Sequence, residues 1–171
     1  MYLITAKYTS DSDRKRIEYA LEKWKERMKI TKPEGIVAIV NGGDVEELIE
    51  ELYSRTEKDN ITLYHIEKAH LEVAEAEKEI KLKIGEKMET AEKLLDFIMA
   101  KQKAILKLEL AEPREKVYEV YTKKGKAEIS VGLHGGETSV NLHLRITGYG
   151  EAVDFLYRKL AEELKLLEGS R

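Results

Sequence analysis

The residues in this 171-residue chain that are equipped for chemistry fall into three groups, and none includes a thiol, because the chain has no cysteine. That excludes disulfides, thiolate nucleophiles and Cys-ligated zinc or iron–sulfur sites. There is no Ser-His-Asp order, no HExxH, no CxxC and no phosphate-cradling glycine loop, so the sequence leans away from an enzyme.

The first group is acidic. Asp11 and Asp13 follow a first apolar segment, Asp44 follows a second and His65 lies near the end of a third. If those segments are parallel strands, their carboxyl ends share one edge, where open α/β sheets place ligands. Carboxylates gathered there suit Mg²⁺, and a Mg²⁺-dependent phosphate-chemistry enzyme is one expectation for the chain. The same spacing has a plainer use. Ser10 precedes Asp13 by three residues and Asp44 precedes Glu47 by three, which is capping-box spacing. Acidic residues in a first helical turn also repel a phosphate.

The second group is basic and aromatic. Between Lys101 and Lys126 there are eight basic residues against four acidic ones, a local excess in a chain whose net charge is only -3. Tyr118 and Tyr121 sit among these lysines at spacings where a ring could stack on a base while Lys123, Lys124 and Lys126 meet phosphates. Asn141 and Arg145 add donors on a neighbouring strand. Nucleic acid, RNA or DNA, is therefore the preferred ligand class, with these seven residues as its expected site and no cofactor required. The competing explanation is ordinary packing, because tyrosines also fill half-buried strand positions.

The third group lies on a predicted hairpin, residues 126–147, in which two period-2 runs flank Gly135 and Gly136. A tight turn at that pair predicts Val131 opposite Val140, Ile129 opposite Leu142 and Ala127 opposite Leu144. The other face would then carry Glu128 opposite His143, a cross-strand ion pair. In that register His134 and His143 lie about six residues, or ~20 Å, apart along the ladder, too far to share a metal.

The elements that must position these groups follow from periodicity. Residues 1–67 read as strand, helix, strand, helix, strand: 2–9, a helix carrying Ile17, Leu21, Trp24 and Met28, the apolar run 36–40, a helix carrying Val45, Leu48, Ile49 and Leu52, and 61–66. Such a βαβαβ unit is expected to be parallel. Residues 68–79 fit both a helix and a bent strand and mark the boundary.

Residues 80–171 read as β-α-β-β-β-β-α, with Glu112-Pro113 as a breaker between two strands. That order resembles the TATA-binding-protein-like folds, which implies an antiparallel sheet backed by two helices and nothing about function. The class is therefore α+β, in two units that can pack as one domain.

Composition sets the remaining expectations. Glu outnumbers Asp 27 to 6 and Lys outnumbers Arg 22 to 8, with only three Asn and one Gln, the profile of proteins from hot environments. No leader-like start and no apolar run near ~18 residues is seen, which predicts a soluble cytoplasmic protein without membrane partners. A sheet with a free edge also allows a homodimer.

Overall fold

The computed structural model describes residues 2–111, 114–135 and 137–168. Two compact units divide the chain, Met1–Glu67 and Lys68–Arg171.

In the first unit, both expected helices form. Helix α1, Asp11–Trp24, starts where the Ser10 side chain accepts a hydrogen bond from the Asp13 N–H at 3.1 Å. Helix α2, Val45–Arg55, starts where Asp44 accepts from the Glu47 N–H at 3.0 Å. These short polar side chains satisfy backbone donors that the first helical turn leaves free. The parallel βαβαβ sheet expected here is not formed. Residues 2–9, 36–40 and 61–66 enter no ladder among the described residues. Apolarity in a segment records what a sheet would gain by burying it, but a strand exists only through a neighbour's hydrogen bonds. Ile36 is fully exposed and Ile39 is 67% exposed. The helical stripes are only half-covered, at Ile17, Leu21, Val45 and Ile49.

The second unit carries the core. Its order is β1 (Ala76–Ile84), α3 (Met88–Lys101), β2 (Ile105–Leu110), β3 (Glu115–Thr122), β4 (Gly125–Gly135), β5 (Val140–Gly148) and α4 (Ala152–Glu168). The five strands make one sheet, ordered β1-β5-β4-β3-β2, and every neighbour pair is antiparallel. Strand β1 begins inside the ambiguous segment, at Ala76, while 68–75 is neither helix nor strand.

Strict alternation explains the packing. Leu142, Leu144 and Ile146 of β5 and Ile129, Val131 and Leu133 of β4 are buried on one side, where α3 and α4 lie. The helices meet them with Leu95, Ile98 and Met99 and with Leu156, Leu160 and Leu164. Each fully buried aliphatic side chain contributes about 1.5–3 kcal/mol of transfer free energy. The opposite side of the sheet carries the polar half of β1, β4 and β5, mixed residues of β3 and the aliphatic Leu108 and Leu110 of β2, and neither α3 nor α4.

The hairpin differs from its sequence reading in register, though not in facing. Val131 pairs with Leu144, Leu133 with Leu142 and Gly135 with Val140, four residues away from the expected alignment. Because side chains alternate with a period of two, a slip of four keeps every residue on its face. Gly135 is an extra rung of the ladder rather than part of a two-residue turn, and Gly136 and the breaker Glu112-Pro113 lie outside the described residues. Gly135 is needed there for space: a Cβ would sit 2.4 Å from the Ser139 carbonyl oxygen. A tight two-residue turn, Lys123-Lys124, joins β3 to β4 between the paired residues Thr122 and Gly125. Thr122 Oγ1 closes it by accepting from the Lys124 N–H at 3.0 Å and donating to the Gly125 carbonyl at 2.9 Å.

Candidate ligand-binding face

The bare side of the sheet is built in rows of directly paired residues. One row runs Lys81, His143, Gly132, Glu115, Leu110. The next runs Glu79, Arg145, Ser130, Val117, Leu108. His134 stands opposite Asn141 on the other flank of the first row. Gly132 has no side chain to contribute, so its place in the row is a hollow of about 340 Å³ lined by His134, His143, Ser130, Arg114, Arg145 and Glu115.

The corrected register brings together what the sequence reading separated. His143 lies opposite Gly132, two residues from His134, not six. The His143 partner is not Glu128 but Glu79, whose Oε1 lies 3.1 Å from its Nε2. That nitrogen is buried and makes no hydrogen bond of good geometry. Arg145 Nε is 3.7 Å from Glu79 and 3.8 Å from Glu77, loose pairs that leave donors for a ligand. Lys81, hydrogen-bonded to Glu79, and then the His143 imidazole beside it hold the Glu79 carboxyl below its ordinary range. The hollow thus presents the Arg145 guanidinium, two imidazoles and the Ser130 hydroxyl beside the Glu115 carboxylate, with Arg114 at its rim already bonded to Glu92 at 2.9 Å, a set suited to an oxyanion.

The seven residues expected to bind nucleic acid are spread out. Tyr118 is buried on the helix side, where its hydroxyl donates to Asp96 Oδ1 at 3.1 Å, so its ring is not available for stacking. Burial, with the Asp96 charge beside it, pushes this phenol up to about 12. Tyr121 is on the bare side, with Lys126 Nζ 5.8 Å from its ring centre. Lys126 is bonded to Glu119, which Lys107 also approaches at 3.4 Å. Lys124 pairs with Glu151 and Lys123 sits 5.6 Å from the Phe155 ring, both toward α4. Only Asn141 and Arg145 adjoin the hollow. On the bare side Lys81, Lys83, Lys107, Lys126 and Arg145 interleave with Glu77, Glu79, Glu115, Glu119 and Glu128, so the face is mixed and not a continuous positive surface.

The four alternative metal ligands are also kept apart by local work. Asp13 accepts from Thr9 and Arg16, and hydrogen bonds from Ser10 and Thr9 lower its pKa. Asp11 faces Arg14 at 3.8 Å, Asp44 caps α2 and His65 is 3.9 Å from Glu67. Among the described residues no three His, Asp or Glu side chains are grouped to hold a metal ion.

Sequence reasoning missed the hollow, although one signal was present. A glycine inside an otherwise alternating strand marks a close approach or an open place, and Gly132 is that glycine. Compared with known proteins, the chain matches no family model, no curated protein and no solved structure.

Proposed function

We propose that this protein is a non-catalytic binding module whose bare sheet face takes single-stranded nucleic acid, with one phosphate seated in the hollow over Gly132. The observation that carries the reading is the placement of Arg145, His134, His143 and Ser130 around a hollow of about 340 Å³. Val117, Leu108 and Tyr121 on the same face supply apolar surface for bases. Few phosphates are contacted, so affinity is modest. Fluorescence anisotropy with a labelled oligonucleotide tests it. One neutralised phosphate predicts a slope of log K against log salt of about -0.7. No binding at low salt would sink the reading.

The same reading places the protein in the cytoplasm of an organism from a hot environment, as its Lys/Glu-rich, cysteine-free composition supports. No helix among the described residues is long and apolar enough to cross a membrane. For residues 1–67 we propose that the parallel βαβαβ sheet forms when the apolar run 36–40 is buried, because five consecutive exposed apolar residues favour association.

A second reading, self-association, is favoured by β2. All six of its residues are exposed, four of them aliphatic, and it is an edge of the sheet with one row of backbone donors and acceptors unpaired. Light scattering should show concentration-dependent dimers that Leu108→Lys abolishes; a monomer at high concentration in the unaltered protein would remove this reading.

A further inference from the structure

A second concavity, about 790 Å³, opens between α3 and the β2–β3–β4 end of the sheet, within the size range of small-molecule sites. Leu95, Leu110, Val131 and Leu133 form its apolar lining. Its charges do not balance. Lys116 Nζ donates to Asp96 at 2.9 and 3.2 Å and stands 3.5 Å from Glu109, so two carboxylates share one ammonium. Burial works to lower the Lys116 pKa but is outweighed by Asp96 and its neighbours, which leave it raised and the lysine charged. Arg114 offers no relief, being bonded to Glu92 at 2.9 Å.

Carboxylates outnumber the cations Arg114 and Lys116 in the groove, and they do so beside an apolar surface. We propose that this groove binds a small organic cation, a primary amine with an aliphatic body, whose ammonium joins Asp96 and Glu109 while its chain lies on Leu95, Val131 and Leu133. Asp96 is half-exposed and Glu109 58% exposed, so both can be reached from solvent. An anion is disfavoured there by the same surplus, which separates this groove from the neighbouring hollow although Arg114, Glu115 and His134 border both.

The test is titration of the full chain with 1-hexylamine, 1-hexanol and hexanoate, followed by leucine-methyl NMR shifts. Hexylamine is expected to saturate below about 10 mM, with shifts at Leu95 and Leu133, and to bind at least about tenfold more tightly than hexanol, with hexanoate not binding. Glu109→Gln alters an exposed residue and should weaken the amine about tenfold while leaving hexanol unchanged. Gly132→Val, which fills the hollow on the other face, should leave amine binding unaltered. Equal binding of all three probes, shifts away from those leucines, no saturation, or an unchanged amine affinity in Glu109→Gln would each overturn the proposal.

Discussion

His134 and His143 stand on the same side of adjacent strands, two residues apart in the ladder, with the unsubstituted Gly132 between them. The hollow exists because one residue in that row has no side chain. Gly132 has no left-handed backbone, and a Cβ there would make only ordinary contacts, 3.6 Å from His134 Nε2 and 3.7 Å from the His143 carbonyl oxygen. Gly132→Val should therefore fold normally and lose oligonucleotide binding by at least about tenfold, a difference of 1.4 kcal/mol. Anisotropy beside a thermal melt checks both halves; retained affinity in the folded variant would mean that the hollow is not used.

The two tyrosines separate stability from binding. Tyr118→Phe removes a buried hydrogen bond to a carboxylate and should cost about 1.5–3 kcal/mol in urea unfolding with no change in oligonucleotide affinity. Tyr121→Ala should do the reverse, leaving stability nearly intact and losing about 1–3 kcal/mol of binding if one base stacks there. The same pair of assays, run on both variants, would expose a wrong assignment as a crossed result.

Acid should weaken the fold through two carboxylates on the bare face. Hydrogen bonding from Lys126, with Tyr121 and Lys107 adding to it, holds the Glu119 carboxyl below its ordinary range, and Lys81 and His143 do the same to Glu79. A carboxyl whose folded pKa is depressed stabilises the fold above its unfolded value, ~4.3 for Glu, and that contribution is lost as pH falls through the folded value. Lys126 works in the opposite sense. Glu119 raises it, so its contribution is complete below ~10.4 and is lost as pH rises through the folded value. Glu119→Gln should flatten both limbs of the urea midpoint against pH, and unchanged limbs would show that this pair is not responsible.

Gly135 is held by crowding at the last rung of its hairpin. Gly135→Ala would press a methyl against the Ser139 carbonyl and Val140 Cα, at 2.4 and 2.8 Å, and should destabilise by about 1–3 kcal/mol. Urea unfolding measures it. A neutral result would mean that Ser139 and Val140 yield at little cost.

The helix-backed sheet was legible because its signals are periodic. Ala91, Leu95, Ile98 and Met99 on α3, and Val153, Leu156, Leu160 and Leu164 on α4, recur every three or four residues and are buried. Register was not legible, since period two fixes the face of a residue but admits any even slip. A Gly-Gly pair pointed to a β4–β5 turn at a place where Gly135 is a rung of the ladder, opposite Val140. The hollow depended on that register, so it stayed hidden although His134, His143 and Arg145 were all noticed. In residues 1–67 the helix caps were readable from Ser10 and Asp44, because capping is local; strand pairing is not, and apolar runs alone did not specify it.

The pairing of β1 with β5 also sets a timetable. Ile84 lies opposite Val140, with all of α3, β2, β3 and β4 made between them. On a ribosome adding about 5–20 residues per second, β1 would wait roughly 3–11 s after synthesis before its partner exists. The Thr122–Gly125 hairpin, by contrast, can close as soon as β4 emerges. Folding of this unit should therefore begin at its centre and finish at its first strand, and β1 is the segment a nascent chain must keep from pairing elsewhere.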